Sequence, residues 1–159
     1  ADGSHTKARE QFEKVLEIQP NYKNAHLGIA EAFHAEGAFA EAEKHYLLEI
    51  KHHPNTESYL AYAHALFDQG EYERCVRFTE DLSVDVGPFY GLLALSHHQL
   101  KNHAAAENYY QLAIKHKPST DELLLNYTLL LTQAKKFDEA KEVIQKVRDR
   151  SDPRFRSWS

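Results

Sequence analysis

The chain has 159 residues, 42% of them apolar and 27% charged, with 19 Lys plus Arg against 24 Asp plus Glu. That composition can fill a core and argues against wholesale disorder, while a net charge of −5 sets it apart from free nucleic-acid binders, which carry a basic surplus. One cysteine excludes an internal disulfide framework and a four-cysteine zinc site, and the longest apolar stretch, Leu123 to Leu131, has nine residues where a bilayer span needs roughly twenty.

Residues 1–5 are set apart from the fold as a disordered or processed end. Nine helices are then predicted, over 6–18, 23–36, 39–52, 56–69, 72–82, 88–100, 103–116, 121–134 and 137–149. The helical reading rests on apolar residues spaced i, i+1, i+4: Ile29, Ala30 and Phe33; Tyr62, Ala63 and Leu66; Leu93, Ala94 and His97; Tyr127, Thr128 and Leu131. Glycine or a polar pair breaks the first helix of each pair, and proline closes most of the second helices. Gly87-Pro88 suits a proline in the first turn of the sixth helix. Strand signals are absent, so the chain reads as all-α.

The helices recur in pairs. Four segments end alike, at Pro20, Pro54, Pro118 and Pro153, and Pro20 and Pro54 are 34 residues apart. Four turns restart the chain at Gly37-Ala38-Phe39, Gly70-Glu71-Tyr72, Lys101-Asn102-His103 and Lys135-Lys136-Phe137. Ahead of each closing segment a small residue precedes a larger one by four positions: Ala8 and Phe12, Ala42 and Tyr46, Cys75 and Thr79, Ala106 and Tyr110, Ala140 and Ile144. This pattern resembles the tetratricopeptide repeat family. The best copy is His26, Ile29, Ala30, Phe33, Gly37, Ala42, Tyr46 and Pro54. Tyr59, Tyr90 and Leu124 open three more copies, of which the first lacks its closing proline and should have a short second helix ending near Leu82.

The resemblance implies a right-handed superhelix, or solenoid, of antiparallel helix-turn-helix repeats. The expected layout is a half repeat over 6–22, repeats over 23–55, 56–86, 87–120 and 121–150, and a basic tail over 151–159. The lone second helix at the start suggests further repeats before it. The resemblance also places first helices on a concave wall. Groove positions counted round those helices are Asn24, Leu27, Glu31 and His34; Leu60, Ala61, His64 and Phe67; Gly91, Leu92, Leu95 and His98; and Leu125, Asn126 and Leu129. The leucines and Phe67 would form an apolar strip, which usually marks a contact site. The partner expected there is a protein or peptide with an apolar or amphipathic segment. The alternative is that tight packing already covers the leucines.

Repeat domains that grip the acidic carboxyl terminus of heat-shock chaperones use Lys, Asn and Arg on this wall. The matching positions here are Leu27, Glu31, Ala61, Pro88 and Leu92, which cannot hold a carboxylate. A self-associating module, or a regulatory domain of a larger enzyme, is the competing reading. Use in a bacterial envelope, pilus or secretion assembly enters by analogy, and cytoplasmic and periplasmic locations both fit.

No catalytic site, cofactor or metal is expected: the sequence holds no phosphate loop, nucleophile elbow or paired carboxylates. Eleven histidines are unusual, yet none stands four residues from another as a helical zinc pair would. His34, His64 and His98 fall on the groove wall, where protonation would oppose an apolar ligand. Cys75 reads as a small packing residue. Asn126-Tyr127-Thr128 has glycosylation spacing but lies within a helix. Arg148, Arg150, Arg154 and Arg156, with Phe155 and Trp158, make a basic tail that suits a solvated end, a linker or an acidic partner.

Overall fold

A computed structural model describes residues 3–116 and 120–151, with side chains up to residue 149. Nine α-helices run through these residues: α1 Ser4–Ile18, α2 Ala25–Ala35, α3 Phe39–His52, α4 Thr56–Asp68, α5 Tyr72–Glu80, α6 Tyr90–Gln99, α7 His103–His116, α8 Asp121–Gln133 and α9 Phe137–Ser151. No strand occurs among the described residues. The all-helical expectation holds, and most helix ends fall within two residues of those read from the sequence.

Three elements differ. Ser4 and His5, set apart above, already belong to α1. The sixth helix opens as a 3₁₀ turn over Gly87–Phe89 and becomes α-helical at Tyr90. Asp85 Oδ1 accepts the Gly87 N–H at 2.9 Å, and a Cβ at Gly87 would run into the His116 ring, so the chain enters that helix through a tight, glycine-dependent contact. The fifth helix has nine residues where α3 and α7 have fourteen, in keeping with the missing proline and shorter repeat. Pro118 and Pro153, and Arg150 with the tail after it, lie outside the described side chains.

The chain divides into two compact units, Ala1–Cys75 and Val76–Ser159. In the first, α1 packs on α2, α2 on α3, and α4 on both α2 and α3. Ala25, Ala30, Ala42 and Ala63 are fully buried, so small side chains let neighbouring helices approach. Larger groups fill the spaces between them: Ile29 and Leu66 are buried, and the Tyr46 and Tyr62 rings stack with centroids 6.1 Å apart. At Gly28 an added Cβ would strike the Phe12 ring, which brings α1 close to α2. Cys75 is buried, its thiol directed to the Ala63 carbonyl at 3.4 Å, as a packing cysteine should be.

In the second unit α6 pairs with α7 and α8 with α9, and α8 also touches α6 and α7. One core joins them, built on Ala94, Ala106, Tyr110, Leu124, Tyr127, Leu131, Ala140 and Val143. Tyr110 and Tyr127 stack with centroids 5.0 Å apart.

The four predicted turns share one geometry. Gly37, Gly70, Lys101 and Lys135 all have φ between 61° and 80°. In each, the next residue's N–H reaches back to the helix: Ala38 to Phe33 O, Glu71 to Leu66 O, Asn102 to His97 O and Lys136 to Leu131 O, at 2.8–2.9 Å. This is the Schellman termination, which satisfies carbonyls that the helix end leaves free. It reverses the chain within three residues and so makes each hairpin.

Candidate partner-binding surfaces

The predicted groove residues divide between the units: Leu27, Glu31, His34, Leu60, His64 and Phe67 belong to the first, and Leu92, Leu95, His98, Leu125, Asn126 and Leu129 to the second. Two of them are core. Leu27 is 7% and Leu92 6% exposed, so neither presents a wall to a partner. Successive helix positions differ by only about 100°, and both leucines sit at the edge of the stripe that faces the neighbouring helix. Leu60, Phe67 and Leu95 are half-buried. Phe67 meets the Tyr72 ring edge-on at 5.2 Å, and Leu95 packs against the second unit's core.

Leu125 and Leu129 are different: each is 49% exposed, and they stand one turn apart on α8. Thr120 begins that helix by accepting the Leu123 N–H at 3.2 Å, with Asp121 and Glu122 in the first turn where negative charge suits the helix dipole. The sequence then buries Leu123, Leu124, Tyr127, Leu130 and Leu131, which leaves Leu125 and Leu129 facing outward. Asn126 turns its amide to the Glu122 carbonyl of its own helix at 2.9 Å. His98 is held inside the unit, its Nδ1 2.9 Å from the Tyr110 hydroxyl and its Nε2 3.4 Å from Gln133 Oε1.

In the first unit Glu31, His34 and His64 come together on a cavity of about 350 Å³ between α2, α3 and α4. Tyr46 and Asp68 complete its polar lining, with Ala35, Ala61 and Ala65 between them. His34 Nε2 lies 3.4 Å from Asp68 Oδ2. Partial burial, then the charge of Glu57, raises the Glu31 carboxyl above its ordinary value. Burial, then the charges of Glu31 and Asp68, pushes the Tyr46 phenol up to about 12, so it keeps its proton at neutral pH.

Tyr46 and Asp68 were not among the residues singled out from sequence. Tyr46 reads there only as a packing aromatic of the repeat. Asp68 follows His64 by four positions on one helix face, a spacing that could have flagged it.

A second cavity of about 340 Å³ lies between α7, α8 and α9, lined by Lys115, Tyr127, Glu139, Glu142 and Lys146 among others. Its charges are mixed and it contains none of the predicted residues. Among the described residues no three His, Cys, Asp or Glu side chains stand close enough to hold a metal ion, and no helix is long and apolar enough to cross a membrane.

Family models described as tetratricopeptide repeat match residues 1–55 and 87–120, one span in each unit. The chain belongs to the tetratricopeptide repeat family. No curated protein matches the sequence. Among solved structures, a tetratricopeptide-like fold is shared with PilF of Pseudomonas aeruginosa at 22% identity and a TM-score of 0.80, over 89% of this chain. The chain spans only 66% of that structure. A structure of MamA matches at 20% identity and a TM-score of 0.78, over 94% of this chain and 90% of its own. MamA from Desulfovibrio magneticus RS-1, residues 41 to the end, matches at 16% identity and a TM-score of 0.79, over 95% and 89%. At these identities the likeness is one of fold. Tetratricopeptide folds serve as protein–protein interaction scaffolds.

Proposed function

We propose that this chain is a non-catalytic scaffold that takes an apolar or amphipathic segment of a protein partner against the first helices of its repeats. The observation that carries the reading is the pair Leu125 and Leu129, each half exposed and one turn apart on a first helix whose other leucines are buried. A fully buried leucine contributes about 1.5–3 kcal/mol, so covering the exposed halves of two supplies a useful share of a micromolar affinity. In the second unit Leu95 would border the contact as a half-buried apolar group, with His98 and Asn126 adjusting selectivity; in the first unit Leu60 and Phe67 would offer a half-buried apolar contact of their own, with Glu31, His34 and His64 adjusting selectivity there. A bacterial envelope, pilus or secretion assembly as the setting for such a scaffold rests on analogy with other repeat domains.

The test is affinity capture from native extract with the wild-type chain beside Leu125→Glu/Leu129→Glu, both first shown to be folded by circular dichroism. A protein captured by the wild type and lost from the variant supports the reading. Equal capture by both moves the contact elsewhere. A concentration-dependent dimer in light scattering that the variant abolishes would instead make this surface a self-association site.

A further inference from the structure

The cavity of the first unit has a chemistry that the exposed leucines lack. Two carboxylates, Glu31 and Asp68, share its wall with the imidazoles of His34 and His64, and among the described residues no lysine or arginine lines it. Tyr46 also faces it. The residue is 4% exposed, and its hydroxyl opens to the cavity without a hydrogen bond to any described residue. The oxygen of this otherwise buried phenol is thus left to water or a ligand. His34 adds an orphan atom: its Nε2 faces Asp68, while its buried Nδ1 meets no partner among the described residues.

We propose that this cavity receives the cationic end of a lysine or arginine side chain of the bound partner. The proposal rests on the first-helix reading above and names the chemistry of one of its contacts. A guanidinium or ammonium between Glu31 and Asp68 would make charge-assisted hydrogen bonds, the stronger kind. The Tyr46 oxygen has a free lone pair to accept a further N–H. The alanines suit the methylene stem, which long basic side chains lay along apolar surface while the charged end finds its partner. A volume of about 350 Å³ accommodates one such side chain. A metal ion is the weaker occupant, since no three potential ligands converge among the described residues. An anionic segment would meet two carboxylates offset by no lysine or arginine among the described lining residues, and by imidazoles only when they are protonated.

The experiment is to pan a library of random dodecapeptides against four folded proteins: wild type, Glu31→Gln/Asp68→Asn, Tyr46→Phe and Leu125→Glu/Leu129→Glu. The expected result is that wild type selects peptides rich in Lys or Arg at one position and that Glu31→Gln/Asp68→Asn loses this preference. Replacing that residue of a selected peptide by norleucine should weaken binding about tenfold on the wild type and little on the double variant. Tyr46→Phe, which keeps the ring and removes only the hydroxyl, should weaken it by a smaller factor. Selected peptides with no basic preference, or a preference that survives Glu31→Gln/Asp68→Asn, overturn the proposal. Peptides that lack the preference but are still lost from Leu125→Glu/Leu129→Glu leave the apolar contact standing. Absence of any selected peptide counts against both.

Discussion

The Glu49 carboxylate, on α3, accepts the backbone N–H of Leu27 at 3.2 Å. Its other oxygen accepts the N–H of Asn24 at the same distance, and the side chain is only 1% exposed. Leu27 is the third residue of α2, where a helix leaves an N–H without an internal partner. Asn24 precedes that helix in a left-handed conformation, φ 70°, and its own side chain makes no cap. A residue 22 positions away therefore does what a local cap does elsewhere, as Asn55 does for α4 by accepting the Ser58 N–H at 2.9 Å. Glu49→Ala should destabilise the chain by about 1–3 kcal/mol, because two buried donors lose their acceptor. Glu49→Gln, which keeps one oxygen but loses the charge at a helix N-terminus, should cost less. Urea denaturation followed by circular dichroism reads both. Equal stability of wild type and Glu49→Ala would mean that water reaches the α2 terminus.

The four hairpin turns offer an internal comparison. Gly37 and Gly70 hold the left-handed position at φ 80°, whereas Lys101 and Lys135 hold it at 62° and 61°. A residue with a Cβ is strained there and glycine is not. Lys101→Gly and Lys135→Gly should each stabilise by about 0.5–1 kcal/mol, while Gly37→Ala should destabilise by a similar amount. Thermal melts of the three variants give the signs directly. A loss of stability in Lys101→Gly would show that its side chain contributes more than its backbone conformation costs.

Acid should weaken the first unit through two separate sets of groups. His26 and His45 face each other with Nδ1 atoms 3.0 Å apart, which requires one ring to donate and the other to accept. Burial above all lowers both pKa values below 6.5; for His26 the charges of His52 and His53 add to this and Glu49 opposes it, while for His45 His26 and Lys44 add and Glu41 opposes. With the folded values depressed, the unfolded chain binds protons more readily. Their stabilising effect is therefore present above pH 6.5 and is lost as pH falls through the folded values. Full protonation would also set two N–H groups against each other.

Glu43 acts lower on the pH scale. The Tyr62 hydroxyl, 2.6 Å away, and then Arg74 hold its carboxyl below 4.5 despite partial burial. Its contribution persists above 4.5 and disappears as pH drops through that lower value. Denaturation midpoints should thus fall between about pH 7.5 and pH 5.5 in wild type, and fall less in His26→Gln/His45→Gln. An unchanged pH dependence in that variant would assign the effect to other histidines.

The helical fold was legible because small and large residues alternate at helical spacing and each turn carries its own signal. The early end of α5, at Glu80, follows from a repeat that is shorter than its neighbours. What the sequence could not show is which side of a helix edge a residue takes. Leu27 and Leu125 look alike in the pattern, yet one is buried and the other half exposed. Nor does the pattern reveal Glu49, since a glutamate on an amphipathic helix reads as solvent-facing until its backbone partners are seen. Tyr46 was hidden for the opposite reason: its ring meets the packing role that the repeat assigns, and the unpartnered hydroxyl becomes visible only in three dimensions.

That difference between buried and exposed leucines leads to the sharpest separation of surface from core. Leu125→Glu and Leu129→Glu place a charge on side chains already about half in water, so each should change stability by about 0.5 kcal/mol or less. Leu92→Glu buries a carboxylate with no partner arranged for it and should leave the chain largely unfolded under native conditions. Leu27→Glu should do the same, with the added repulsion of Glu49, whose carboxylate already receives the Leu27 N–H. Equilibrium denaturation of the four single variants checks the order. If Leu125→Glu proved as damaging as Leu92→Glu, Leu125 would have to be covered in solution, and the pair on α8 would no longer be available to a partner.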